Sequence, residues 1–213
     1  MLNSGCLRRI FVFIYSDGIV QYEPLFYMAT AWLHPVVTKR IDLYKLILNC
    51  PNFPKQGVLF RDISPVFRNN DALNYIADEF QSILKSYKFD TIVGIESRGF
   101  VVATVLALRF GKGLTMIRKA GKLPGETIRK SYDIEYGTAI MEIQREAISD
   151  GQSVLIVDDL IAAGGTAEAA AQLVKELGGK IAAFAFVIEL AGLQGATKLR
   201  QMGHEVYSLA VYD

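Results

Sequence analysis

Scarcity narrows the chemistry of this chain before any motif is read. Only Cys6 and Cys50 occur among its 213 residues, too few for a disulfide scaffold or a thiolate metal site and in keeping with a reducing compartment. The two histidines, His34 and His204, lie far apart, and neither Gly-x-Ser-x-Gly nor His-Glu-x-x-His accompanies them, which argues against histidine-based catalysis. The 23 lysines and arginines nearly balance 22 aspartates and glutamates, so the chain lacks the basic field that nucleic-acid binders carry. The apolar run Ile10–Tyr15 is too short to span a bilayer. No nucleic-acid partner and no membrane association are expected, and a cytoplasmic location fits.

About half of the residues are apolar (51%), enough for one sizeable core in one domain. The first 27 residues stand apart. Arg8-Arg9 ahead of an apolar run hints at a signal sequence, but Asp17-Gly18 ends the run without a small-residue cleavage site. Residues 1–27 read as an extension or a start-site artefact before Met28, with a packed extra strand as the alternative, and residues 28–213 read as the single domain.

Beyond Met28, periodicity organises the chain. Ile41, Tyr44, Lys45 and Leu48 space as a short helix ending at Cys50-Pro51, and Asp71 is placed to cap an amphipathic helix through Leu84. There follow a strand at 90–95, a helix at 99–110, a strand at 113–118, an exposed loop to 130 and a hairpin across 131–143. A strand at 153–158, a helix from 166, and strands at 180–189 and 205–211 complete the pattern. Such alternation predicts an α/β fold, a doubly wound and mostly parallel sheet whose ligands lie at the strand C-termini.

The segment Val154-Leu155-Ile156-Val157-Asp158-Asp159-Leu160-Ile161-Ala162-Ala163-Gly164-Gly165-Thr166 carries the most information. Branched apolar residues form a strand buried on both faces, and two aspartates follow. A glycine turn then opens a helix with Thr166 at its start. Unpaired N–H groups at a helix N-terminus suit a phosphate, and acceptor-only carboxylates suit the hydroxyls of a ribose. The segment has neither the Gly-Lys-Ser/Thr of a Walker loop nor a dinucleotide Gly-x-Gly-x-x-Gly. Ile92–Phe100 repeats the layout of strand, turn and helix, so Ser97, Arg98 and nearby N–H groups form a second anion site.

Three further segments carry a functional reading beside a plain one. Arg118, Lys119, Lys122, Arg129 and Lys130 fall within thirteen residues that contain one acid, Glu126. As a solvated loop they need no function, but after a core strand they can close over a polyphosphate. Glu135, between Tyr132 and Tyr136, is by default a solvated strand residue. Beside aromatic surface its pKa can rise far enough for acid–base work on a purine nitrogen. Phe53–Pro65 reads alone as an irregular connection with buried aromatics.

Together these ordered segments resemble the adenine phosphoribosyltransferase family of the type I phosphoribosyltransferases. The likeness covers about residues 40–212 and includes Ser97-Arg98-Gly99-Phe100, Arg118–Gly125, Glu135-Tyr136-Gly137 and Glu189–Gly195. The resemblance implies transfer of a 5-phosphoribosyl group from phosphoribosyl pyrophosphate to adenine, giving AMP and pyrophosphate. By the same resemblance, Asp158 and Asp159 hold the ribose hydroxyls, and Ala162, Ala163, Gly164, Gly165 and Thr166 hold the 5′-phosphate. Ser97, Arg98, Lys119 and Lys122 hold pyrophosphate. Adenine lies between Phe60 and Leu160 in a hood formed by residues 40–65, reading backbone groups at Leu59, Phe60 and Arg61. Glu135 manages the proton, and catalysis falls on Glu135, Arg98, Lys119 and Lys122. The resemblance further implies Mg2+ carried mainly by substrate, with no metal site made of protein side chains alone, and a homodimer. It also implies a cis peptide before Ser97. Ala163 departs from the family's usual threonine. Two rival readings differ in chemistry: a 6-oxopurine phosphoribosyltransferase, which would lack the 53–65 hood, and a non-catalytic phosphoribosyl pyrophosphate sensor, which would need a nucleic-acid surface.

Overall fold

The computed structural model describes residues 40–134 and 137–213; the expected extension over residues 1–27, and Glu135, lie outside the described residues. Among the described residues two sheets form. The smaller pairs β1 (Leu48–Pro51) antiparallel with β2 (Leu59–Asp62). The larger contains β3 (Thr91–Ile95), β4 (Gly113–Lys119), β5 (Thr127–Ile134), β6 (Gly137–Gln144), β7 (Ser153–Ile161), β8 (Lys180–Leu190) and β9 (Val206–Tyr212). Their spatial order is β5-β6-β4-β3-β7-β8-β9, with β4 through β9 parallel along that order and the β5–β6 hairpin antiparallel at one edge. The result is a mostly parallel central sheet with helices on both sides, the doubly wound arrangement that the alternation of elements predicts.

Strand alternation divides the core in two. Ile92, Leu155 and Val157 point to one face, where they meet Val102 and Leu106 of α4 (Gly99–Phe110) and Ile76 and Phe80 of α3 (Asn70–Ile83). Val93, Ile95, Val154 and Ile156 point to the other, against Ala170, Leu173 and Val174 of α5 (Gly165–Glu176) and Leu199 of α6 (Gly195–Gln201). A strand buried on both faces has no room for polar residues, which explains the unbroken apolar runs.

Several local expectations are corrected. The first helix, α1, is only Leu43–Leu46, capped by Asp42, whose carboxylate accepts from the Tyr44 N–H at 3.1 Å. Beyond Ile47 the chain is extended, because a residue before proline disfavours the helical region and Leu48–Pro51 find a partner strand instead. The cap of α3 is Asn69, whose side chain accepts from Ala72 N–H, while Asp71 sits in the first turn, where the helix dipole favours it. A short helix, α2 (Ser64–Phe67), precedes it with Pro65 in its first turn. The hairpin begins at Thr127 rather than at 131, which shortens the loop to 120–126. Strand β7 continues past 158 to Ile161, since β8 keeps pairing with it after β3 has ended.

Helix α4 lies unusually close to β3. A Cβ on Gly94 would stand 2.8 Å from the Ala103 Cβ, 3.2 Å from the Phe100 ring and 3.3 Å from Leu114. Both Ala103 and Phe100 belong to α4, so a methyl group there must push the helix outward. Gly94→Ala is therefore expected to cost about 1–3 kcal/mol of stability by overpacking, or roughly 2–4 °C of melting temperature per kcal/mol. Thermal unfolding with an unchanged midpoint would show that α4 adjusts freely.

Candidate active site

From β3 the chain runs through α4 to β4 on one side, whereas from the neighbouring β7 it runs through α5 to β8 on the other, and a crevice opens between the two strand ends where the connections diverge. Pairing of β3 with β7 stops at Gly94↔Val157, whereas β7 stays paired with β8 to Ile161↔Glu189. Asp158, Asp159 and Leu160 thus project from a strand held on one side only. Opposite them, β3 ends at Ile95, the Glu96–Ser97 peptide is cis, and Arg98 precedes the first turn of α4.

These two strand ends meet through charge. Arg98 Nε lies 2.9 Å from Asp159 Oδ2. The pairing is ionic, and among the described residues no hydrogen-bond donor fills Oδ2. Asp158 accepts from the Asp159 N–H at 2.8 Å. It also packs against the start of α4, where a Cβ on Gly99 would fall 2.5 Å from Asp158 Oδ1. Part of Asp158 stays open to the crevice, though protein surrounds most of its carboxyl group. Burial pushes its pKa well above the ordinary aspartate value, and the neighbouring Asp159 charge pushes it further. Asp159 is also raised by burial, with Arg98 opposing the rise. Such a pair favours incoming hydroxyl donors and cations, which relieve both burial and mutual repulsion.

The glycine turn follows directly. Gly164, at φ +87°, immediately precedes α5, a conformation that glycine adopts at little cost. Gly164 has no side chain to cap the helix, and among the described residues the Thr166 hydroxyl has no hydrogen-bond partner, so it and the first N–H groups of α5 are placed for a ligand. Ala163 is exposed at the turn. Sequence reasoning missed what lies behind it. Gly195 donates its N–H to Ala162 O at 3.0 Å. A Cβ there would press on that same oxygen and lie 2.6 Å from Gly164 N and 2.8 Å from Ala163 C. Helix α6 is tied to β8 by Arg200, whose guanidinium donates to both oxygens of buried Glu189 at 3.2 and 3.1 Å. The Glu189–Gly195 segment therefore supports the turn from below. An acid closing an apolar strand and a glycine opening the next helix were the available signals.

The smaller sheet reaches the same crevice. Its Phe60 ring lies 5.2 Å from the Arg98 guanidinium carbon and packs edge-on against Phe53 at 5.1 Å. Arg61 does not point freely into the site. Its guanidinium stacks 4.0 Å from the Tyr212 ring and bonds to Asn49. Tyr44 adds a second brace, accepting the Val211 N–H at 2.9 Å. Leu59 is exposed and Leu160 partly buried.

On the other side, Lys119 and Lys122 are exposed, and neither forms an ion pair with another described residue. Arg118 is committed elsewhere: its Nε meets Glu96 Oε2 at 3.2 Å and one terminal nitrogen donates to Lys122 O at 3.0 Å. Glu96 also accepts from the Lys119 N–H at 2.8 Å. This acid stands just before Ser97 in the sequence, yet nothing in its spacing pointed to a role in the loop.

Because Gly195 sets the shape of the turn, Gly195→Ala should displace Ala162–Gly164. Ribose 5-phosphate binding, measured by calorimetry, is expected to weaken by roughly tenfold to a hundredfold. Unchanged affinity in a folded variant would mean that the turn does not depend on this contact.

Comparison with known proteins agrees with this geometry. Residues 66–204 match the family described as phosphoribosyl transferase domain. The adenine phosphoribosyltransferase of Nitrosopumilus maritimus is 54% identical over 155 residues, covering 73% of this chain and 91% of that protein. The crystal structure of adenine phosphoribosyltransferase from Thermoanaerobacter pseudethanolicus matches with a TM-score of 0.77 at 43% identity, covering 80% of this chain and 98% of the other. The Saccharomyces cerevisiae enzyme, complexed with an imino-altritol bisphosphate and adenine, matches with a TM-score of 0.73 at 43% identity, over 78% and 96% of the two chains. With close relatives matched over nearly their whole length and a family model spanning most of its own, the chain belongs to the adenine phosphoribosyltransferases of the phosphoribosyl transferase family.

Proposed function

We infer that this protein transfers the 5-phosphoribosyl group of phosphoribosyl pyrophosphate to adenine, forming AMP and releasing pyrophosphate. The observation that carries this reading is the approach of Phe60 to Arg98, with Arg98 in turn on Asp159. It joins an aromatic surface fit for a base to the residues fit for a sugar and its pyrophosphate. The yeast relative, solved with a sugar-bisphosphate mimic and adenine together, supports the same pairing of ligands.

In this reading Asp158 and Asp159 accept hydrogen bonds from the ribose hydroxyls. The N–H groups at the start of α5, with the Ala162–Thr166 turn, receive the 5′-phosphate. Ser97, Arg98, Lys119 and Lys122 hold the pyrophosphate and stabilise its charge as the bond from C1 to oxygen breaks. Adenine lies between Phe60 and Leu160, held through backbone groups at Leu59–Arg61, and N9 attacks C1 while its proton passes to Glu135. The sugar becomes oxocarbenium-like, so positioning and electrostatics supply most of the rate. The donor set fits Mg2+: one carboxylate pair, partly neutralised by Arg98, suits an ion held mainly by pyrophosphate oxygens and water. Such an ion would draw charge from the leaving pyrophosphate.

The hood separates this reading from a 6-oxopurine enzyme, which would share the phosphate turn alone. A sensor of phosphoribosyl pyrophosphate would need a nucleic-acid surface that a net charge of +1 does not supply. Among the described residues no helix is long and apolar enough to cross a membrane. The scarcity of cysteine, two in the whole chain, fits a reducing compartment and supports action in the cytoplasm. A homodimer is supported by an exposed stripe on α4, Val101, Thr104 and Leu108, with Leu108 80% exposed.

Turnover of adenine should require a divalent cation and stop with chelator, while hypoxanthine should react at least a hundredfold more slowly, consistent with the discrimination that base-edge hydrogen bonds allow. Equal rates for the two bases would remove the base assignment. For the assembly, sedimentation should give a dimer, and Leu108→Asp should give mainly monomer with its fold intact. A variant that remains dimeric would exclude the α4 face as the interface.

A further inference from the structure

The cationic loop has no apolar stripe to anchor it, yet its backbone is fastened from beneath. Glu142 stands in β6 between buried Met141 and Ile143, in register with Arg118 on β4 and Arg129 on β5. It has no exposed surface. Its Oε1 accepts from the N–H groups of Lys122 and Leu123, each at 2.9 Å. Its Oε2 accepts from Arg129 Nε at 3.0 Å and from the Thr127 hydroxyl at 3.3 Å.

A carboxylate buried this completely is expensive unless its lone pairs are filled. Four donors fill them, two of them loop N–H groups beyond the end of any strand. The same bonds hold its pKa down to about 2, although burial works to raise it. The acid is therefore ionised throughout the working range of pH.

The bonding continues past Glu142. Lys122 gives its N–H to Glu142 and its carbonyl accepts from Arg118, and Arg118 pairs with Glu96, which also takes the Lys119 N–H. Glu96 stands beside Ser97 and Arg98. A closed path thus runs from the Arg98 turn through both lysine-bearing residues to the floor of the hairpin. Arg129 is more than half exposed, so it can neutralise the acid without itself depending on the loop.

We propose that Glu142 is a positioning residue for the transfer reaction, fixing the Lys122–Leu123 turn so that Lys119 and Lys122 are held for the pyrophosphate of the sugar substrate. The assignment rests on the phosphoribosyl transfer described above. Glu142 touches no substrate; it acts through the loop.

Two measurements on full-length protein test it, one of them independent of the reaction. Glu142→Gln keeps the shape of the side chain but removes its charge and turns an amide toward Arg129. Trypsin should then cut the free variant after Lys119 and Lys122 about tenfold faster than wild type, the loss expected for hydrogen bonds to a charged group. With adenine as acceptor, kcat/KM for phosphoribosyl pyrophosphate should fall about tenfold, partly through a higher KM for that substrate, with KM for adenine changed less than threefold. Thr127→Val removes a neutral hairpin-side donor but leaves the charge paired with Arg129 and both loop bonds in place, and should stay near wild type in both assays. Where the amide variant does not fold, Glu142→Asp serves, since it retains the charge beside Arg129 but falls short of the loop. Faster cleavage without adenine turnover in wild type would uphold the anchor and remove the reaction it serves. Unchanged cleavage, an equal rise in both KM values, or the same defect in Thr127→Val would overturn the proposal and leave Glu142 as a stabiliser of the hairpin.

Discussion

The ion pair between Arg98 and Asp159 organises this site. It bridges the ends of two adjacent parallel strands that separate just where it forms, one carrying the residues suited to pyrophosphate and the other those suited to the sugar. Neither charge would rest easily alone. Asp159 is buried beside a second, largely enclosed carboxyl group, and burial raises the pKa of both. Arg98 offsets that repulsion from one side only, leaving an acceptor on Asp159 unfilled. The crevice is thus charged, incompletely satisfied and ready to exchange internal contacts for those of a ligand.

Close backbone approach makes the arrangement possible. Gly94 lets α4 settle against β3, Gly99 lets its first turn meet Asp158, and Gly195 lets the start of α6 lie under the Ala162–Gly164 turn. A side chain at any of these points would move a ligand-facing segment, not merely crowd the core. Acids act in the complementary way, by gathering donors: part-buried Glu96 and buried Glu142 hold the cationic loop, and buried Glu189 holds Arg200. The lysines left exposed on that loop are those without such an assignment.

Much of this was legible along the chain. The apolar runs at 91–95 and 153–157 announced central strands, and the sharp change to Asp158-Asp159 and then to Gly164-Gly165 marked a ligand-facing turn. Boundaries were less legible where partners decided them. Cys50-Pro51 read as the end of a helix because its partner strand lies some ten residues further on, and Thr127–Lys130 read as loop because the carboxylate that meets Thr127 and Arg129 belongs to another strand. Arg61 lies in the segment assigned to the base through its backbone, and where its guanidinium goes was decided by Tyr212, distant in sequence.

The sequence by itself determined the order of the elements, the doubly wound sheet and the residue types at each strand end, since periodicity, glycine turns and burial on both faces are local properties. Only the tertiary structure decided which of those ends face one another. It brought Phe60 to Arg98 and Arg98 to Asp159, seated Gly195 beneath the phosphate turn, and gave Glu142 the N–H groups of a loop twenty residues away. Distances of that kind depend on strand order and on how closely helices settle onto the sheet, and neither is encoded in the spacing of residues along a single element.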